Sequence, residues 1–175
     1  MRGSDVVTVA TDAGTLALWR GSAFTGVDGY DAWEERVNER LIDAIRSGEL
    51  VPIGIRADGA FGVRVAVTPD AATEREARYT LVTSQPYLLV ADGGPVFLSG
   101  IEAVGDEQSS PASLSLPAGR HAVRAAILAW DEEPGACGPD GLPGPNALPD
   151  FLVTVAPSDG SETFRTSETT FDPPA

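Results

Sequence analysis

The sequence predicts a mainly β protein: an antiparallel β-sandwich, or flattened barrel, made of two similar halves and carrying one amphipathic α-helix. Three observations lead there. Short apolar–polar alternations recur with turn residues between them, as in half-buried strands of a two-layer domain. One stretch, near residues 31–47, switches to helical spacing. Finally, residues 7–21 run in step with 79–93, and residues 57–67 with 117–127, in the same order. Thr8/Thr80, Thr11/Thr83, Leu16/Leu88 and Gly21/Gly93 are identities without a gap. Such an echo implies that the halves build similar strand sets around one core.

In chain order, residues 6–11 and 15–20 read as short strands on either side of Asp12-Ala13-Gly14. The helix follows. Asp31 is placed to cap it, with Glu34 three residues on, the carboxylate form of a capping box. Trp33, Val37, Leu41 and Ile45 recur every fourth residue, with Ala44 beside them, and charged residues take the opposite face. Gly48 ends it. Val51, Ile53 and Ile55 then alternate with small or polar neighbours, and Asp58-Gly59 predicts a tight hairpin into the strand carrying Phe61, Val63, Val65 and Val67. Residues 68–75 read as a linker or short helical turn.

The second half repeats the plan, with strands at 78–84 and 87–91, a turn at 92–95 and an extension at 96–98. A polar loop, 102–111, stands where the first half has its helix. Leu114 and Leu116, the turn at 117–119 and a strand to Trp130 complete a second hairpin, and after a Gly/Pro-rich loop residues 151–155 read as a last strand that closes a sheet. From residue 157 periodicity vanishes among Ser, Thr, Glu and Pro. The expected organisation is one domain, 1–156, and a flexible tail, 157–175.

Composition narrows the function. Twelve basic against 26 acidic residues give a formal charge of −14. That field repels nucleic acids and anionic membranes and draws basic partners. No apolar run is long enough to span a bilayer, the first residues lack a signal-peptide pattern, and the single Cys137 has no partner for an internal disulfide. A cytoplasmic location is expected.

Catalytic motifs are sparse. His121 occupies the place that Phe61 holds in the other half and reads as an aromatic-like strand residue. One His and one distant Cys do not make a zinc site, so no metal is expected. Cys137 has acidic neighbours and no adjacent base to form a thiolate. Neither a G-x-S-x-G elbow nor a glycine-rich phosphate fingerprint occurs, so neither serine-hydrolase chemistry nor a cofactor is expected.

The loop after Trp130 is the candidate site. Gly135, Gly138, Gly141 and Gly144 recur every third residue between prolines, too few triplets for a collagen helix but enough for an extended loop. It concentrates carboxylates without EF-hand spacing. Asp131, Glu132, Glu133 and Asp140 are read as the binding carboxylates, with Trp130 as an aromatic anchor. The expected function is a non-enzymatic inhibitor or immunity-type module that masks a basic protein such as a nuclease or toxin. The alternatives are a sugar- or calcium-binding module using the same loop, and a hydrolase using a buried carboxylate pair.

Two stretches carry a resemblance. Leu114-Ser115-Leu116-Pro117-Ala118-Gly119-Arg120-His121-Ala122-Val123-Arg124 resembles a Leu-Pro-x-Gly-x-aromatic-x-Val-Arg-Val hairpin of small, uncharacterised bacterial β-sandwich proteins, with His121 in the aromatic place. The opening, Val9-Ala10-Thr11-Asp12-Ala13-Gly14-Thr15-Leu16-Ala17-Leu18, resembles the start of one such family of unknown function. More loosely, the outline over residues 6–156 is similar to the competence protein J family of nuclease inhibitors and to some toxin-immunity proteins. The resemblance implies a bacterial sandwich that binds a partner, and it transfers no site residue.

Overall fold

Two sheets face each other, with no closed barrel, in the computed structural model, which describes residues 6–67 and 72–171. The N-terminal residues 1–5, residues 68–71 of the expected 68–75 linker and the last tail residues 172–175 lie outside that range. The larger sheet contains β1 (Val6–Thr11), β4 (Gly59–Ala66), β5 (Thr80–Thr83), β6 (Tyr87–Ala91), β9 (Gly119–Leu128) and β10 (Phe151–Pro157). Its order is β1-β4-β10-β9-β5, and β6 continues beyond β5 along the same edge of β9. The smaller sheet is β3 (Leu50–Gly54), β2 (Thr15–Arg20), β7 (Pro95–Gly100) and β8 (Ala112–Ser115), in that order.

Both orders read the same from either end once the halves are exchanged: β1 with β5/β6, β4 with β9, β2 with β7, β3 with β8. The central pair β2–β7 is antiparallel, with Leu18 opposite Leu98. In the larger sheet β10 has no counterpart and stands between β4 and β9, parallel to the first and antiparallel to the second. Two duplicated strands that run in opposite directions leave a single strand between them no other choice. Residues 151–155, expected as a last strand that closes a sheet, therefore join the two halves at the centre of one.

The expected hairpins are arches. β3 and β4 lie in different sheets, so Asp58-Gly59 turns the chain from one layer to the other, and residues 116–118 do the same between β8 and β9. Gly59 and Gly119 open the receiving strands at φ 147° and 142°, a region that residues with a side chain rarely enter. The match of 57–67 to 117–127 survives as β4 and β9. The match of 15–18 to 87–90 does not, because β2 corresponds to β7 and not to β6. Alternation reports which side chains face inward, and is silent about which strand lies alongside.

The helix also departs from expectation. It begins at α1 (Gly29–Trp33), continues as a π turn over Glu34–Asn38 with Glu39 N–H on the Glu34 carbonyl at 2.9 Å, and resumes as α2 (Leu41–Ser47). Asp31 lies inside the first turn, and Asp28, at the cap position, makes no side-chain capping bond. An apolar stripe at every fourth residue drifts about 40° per turn on a 3.6-residue helix. The wider π turn takes up that drift. Val37, Ala44 and Ile45 end buried in the main core, with Trp33 and Leu41 packed against it. Gly48 stops α2 at φ 76°, as expected. A capping box does form elsewhere, at α3 (Glu74–Arg78), where Thr73 and Glu76 bond each other's backbone N–H.

The main core draws Val9, Leu16, Leu18, Trp19, Ile53, Val63, Val65, Val123 and Val153 together between the sheets. On the opposite face of the larger sheet, Ala66, Ala126, Leu128, Leu148 and Leu152 form a second cluster with Tyr79 and Trp130. Leu152 and Val153 serve different clusters because successive strand residues point to opposite faces.

Residues 158–171, expected as a flexible tail with little part in the core, run back over the sandwich. Arg165 N–H donates to the Pro86 carbonyl at 2.8 Å, the Tyr87 hydroxyl lies 2.8 Å from the Ser167 carbonyl, and Phe171 stacks on Phe151. Thr170 is buried on the open edge of β3, where its hydroxyl accepts from Gly54 N–H (2.8 Å) and donates to the Pro52 carbonyl (2.9 Å). One hydroxyl thus does the work of a neighbouring strand, and Pro52 directs its missing donor to the same open side. Thr170→Val is expected to lower stability by about 1–3 kcal/mol by leaving both groups unmet, with Thr170→Ser near neutral, as read from urea midpoints.

Candidate functional site

The 129–150 loop is built from the strand ends outward. Beyond β9 a 3₁₀ turn, Trp130–Glu132, carries the first candidate residues. Trp130 is partly buried against the second cluster, and its Nε1–H donates to Asp150 Oδ1 at 2.8 Å. The other Asp150 oxygen accepts from Gly62 N–H of β4 at 2.6 Å. Trp130 and Asp150 therefore tie both ends of the loop to the sheet, with Trp130 partly buried there.

Arg75, from α3, holds the next part. Its Nε donates to Glu133 Oε1 at 2.6 Å, its Nη2 to the second Glu133 oxygen, and the same nitrogen reaches the Asn146 carbonyl at 2.6 Å. α3 is itself fixed to β4, because Arg64 grips the buried Glu76 carboxylate through Nε–Oε1 and Nη2–Oε2 contacts of 2.6 Å each. Inside the loop, Gly138 N–H meets the Leu142 carbonyl (2.8 Å) and Gly144 N–H the Ala136 carbonyl (2.7 Å), and Asp140 accepts from Leu142 N–H (3.1 Å). Trp130, Asp131, Glu132 and Glu133 thus share one fixed turn, with Asp131 and Glu132 exposed and Glu133 engaged by arginine. Asp140 is exposed on a separate turn.

Among the described residues, the carboxylates that leave their ordinary range move down. Burial raises Glu76, but the hydrogen bonds from Arg64 and Thr73 outweigh it. Arg75 lowers Glu133, and the hydroxyls of Ser22, Ser109 and Ser161 lower Asp92, Asp106 and Asp159. Each is held ionised, the reverse of what a general acid requires. Among the described residues no three His, Cys, Asp or Glu side chains converge as a metal-binding group. His121 is buried in β9 at the place of Phe61 in β4, and its Nε2–H donates to the Pro117 carbonyl at 2.9 Å. Cys137 is exposed, 4.0 Å from the Asp131 carbonyl. No helix among the described residues is long and apolar enough to cross a membrane.

One concavity escaped the sequence reading. A groove of about 420 Å³ opens between α1 and the turn after β7, with Tyr30, Trp33, Glu102 and Asp106 among its walls. Reading the helix from Asp31 left Tyr30 outside it. With α1 starting at Gly29, Tyr30 and Trp33 stand three apart on one face, which was the available signal.

No family model and no curated protein matches this sequence. Among solved structures, one described as crocagin biosynthetic gene J aligns with 87% of this chain and 94% of its own, at TM-score 0.58 and 17% identity. The likeness is one of fold. ComJ of Bacillus subtilis, an inhibitor of the DNA-degrading activity of NucA, aligns with 88% of this chain and 96% of its own, at TM-score 0.48 and 9% identity, an overlap of outline that carries no weight for function.

Proposed function

We propose that the protein is a non-enzymatic binding module that docks its acidic surface on a basic protein, such as a nuclease or toxin, and masks that partner's cationic surface. The observation that carries this reading is the pinned turn at Trp130–Glu133. Trp130–Asp150 and Arg75–Glu133 immobilise it, so Asp131 and Glu132 project from a rigid base and lose little entropy on binding. The wider field adds steering. Twelve arginines against 26 carboxylates leave a formal charge of −14, which accelerates encounter with a cationic partner at low salt.

The test uses the absence of lysine from this chain. A zero-length carbodiimide joins carboxylates to amines, so a cross-link from a carboxylate of this chain to an amine other than its own α-amine reports an amine of the partner. Basic nucleases and toxins encoded beside the gene are the partners to assay. Expected are cross-links at Asp131 or Glu132, and an on-rate that falls with salt and drops about threefold to tenfold in Asp131→Asn/Glu132→Gln. Absence of association with every such partner at low salt ends the proposal.

A further inference from the structure

We propose that the groove between α1 and the turn after β7 is a receptor for an arginine side chain presented by a protein partner. This rests on reading the chain as an acidic binding module, and it places a contact outside the 130–150 loop.

The groove is walled by Val27, Tyr30, Trp33, Glu102, Val104 and Asp106. Trp33 donates its Nε1–H to the Ile101 carbonyl at 2.9 Å, which locks the helix to the turn and leaves the ring, not the N–H, to meet a ligand. Tyr30 stacks on it with centroids 6.2 Å apart and planes 30° apart, yet is 73% exposed. The far wall is fitted closely, since a Cβ on Gly105 would stand 2.5 Å from Val27 Cβ. Two of the lining residues, Glu102 and Asp106, have fixed carboxylates. Glu102 accepts from the Thr11 hydroxyl and Asp12 N–H, both at 3.0 Å, and Asp106 accepts from Gln108 and Ser109 N–H at 3.0 and 3.2 Å. Asp31 and Glu34 flank Tyr30 on the helix, and Glu34 pushes the Tyr30 phenol above its ordinary range. Arg36 is turned to the Thr25 carbonyl at 2.7 Å.

Charge complementarity selects the occupant. Aromatic faces beside ionised carboxylates attract a cation, and an apolar or anionic ligand would leave that charge unanswered. The apolar walls suit a methylene stem. A guanidinium is planar, weakly hydrated and forked, so it stacks on the rings while donating to carboxylates, which a spherical ammonium does less well.

The three tryptophans supply the readout, because each indole N–H has a separate partner: Ser99, Ile101 and Asp150 for Trp19, Trp33 and Trp130. Their ¹⁵N–¹H signals, assigned by Trp→Phe variants, are followed while the full chain is titrated with blocked Gly-Arg-Gly, and with its citrulline and norleucine counterparts. The Trp33 signal is expected to shift with the arginine peptide and to be insensitive to the other two. Tyr30→Ala weakens binding about tenfold, and Tyr30→Phe retains it. Equal binding of the citrulline or norleucine peptide overturns the proposal, as does a Trp33 signal that moves with protein concentration alone, which would place a second copy in the groove. A shift confined to Trp130 overturns the groove while leaving the loop reading intact. So does a basic partner whose affinity survives Tyr30→Ala but falls in Asp131→Asn/Glu132→Gln.

Discussion

Replacing Arg64 by Met is expected to destabilise the fold by about 3–5 kcal/mol, the usual consequence of leaving a buried carboxylate without its cation. Glu76 is 2% exposed, and its two oxygens are met by Arg64 at 2.6 Å and by the Thr73 N–H at 2.7 Å. Methionine keeps much of the stem volume, so the loss reports charge rather than a cavity. Arg64→Met/Glu76→Leu should recover most of it, because an apolar pair of similar size replaces a buried ion pair with little penalty. The pH dependence has a definite sign. Glu76 is held below the ordinary carboxylate range in the folded chain, so its contribution is present above that range and lost as pH falls through the depressed value. In Arg64→Met burial remains without the cation, and the gap between variant and parent narrows in acid. Urea denaturation between neutral and acid pH measures both effects. A parent-like midpoint for Arg64→Met would remove the pair from the fold's support. The consequence reaches the candidate site: α3 carries Arg75, and once α3 loosens, Glu133 and the Asn146 carbonyl lose their clamp.

Trp19→Ala should lower stability by about 3–5 kcal/mol, on the order of 10 °C in thermal midpoint for a chain of this size. Trp19 is fully buried on β2, edge-on to Phe24 at 5.9 Å and tilted against Phe97 at 4.8 Å. Its Nε1–H donates to Ser99 Oγ at 3.0 Å, so the variant leaves both a void and a hydroxyl without its donor. The neighbours have little room to collapse into that void. The Phe97 ring already stands where a Cβ on Gly21 would fall, at 2.7 Å. Trp19→Phe keeps the ring contacts and loses mainly the hydrogen bond, and is expected to cost about 1–3 kcal/mol. Scanning calorimetry of the two variants separates packing from bonding, and equal effects would contradict the assignment.

Several elements were legible because their causes are local. Trp33, Val37, Leu41 and Ile45 announced a helix whose stripe meets the core, and Gly48 announced its end. The 57–67 and 117–127 echo marked β4 and β9, down to the two glycines at positive φ and to His121 standing in for Phe61. Other errors share one origin. Asp58-Gly59 and Pro117-Ala118-Gly119 have the residues of tight turns, but the chain bends there from one layer to the other, and a connection that changes layer has the same local composition as one that joins partners. The tail reads as polar, yet hydroxyls hold it: that of Thr170 on β3, and that of Tyr87 in β6 on the Ser167 carbonyl. Polar composition hides a segment fastened by hydrogen bonds rather than by apolar burial.

At the candidate site the same division holds. Carboxylate density located the 130–150 loop, and its charge is a property of composition alone. Which acids remain available was a matter of distant partners: Arg75 claims Glu133 across 58 positions, and Asp150 claims the Trp130 indole across 20. The Tyr30 groove needed two elements brought together across the 68 positions between Trp33 and Ile101.

From its sequence alone this chain determines two half-buried strand sets, an amphipathic helix, a strongly acidic surface and a carboxylate-rich loop, because alternation, helical spacing and charge act between near neighbours or simply sum. The tertiary structure alone decides that the arches cross between layers, that β10 sits at the shared centre, that Glu133 and Trp130 are engaged, and that Tyr30, Trp33, Glu102 and Asp106 line one groove. Those outcomes depend on strands and side chains far apart in the chain competing for the same edges and partners, a contest that no local pattern records.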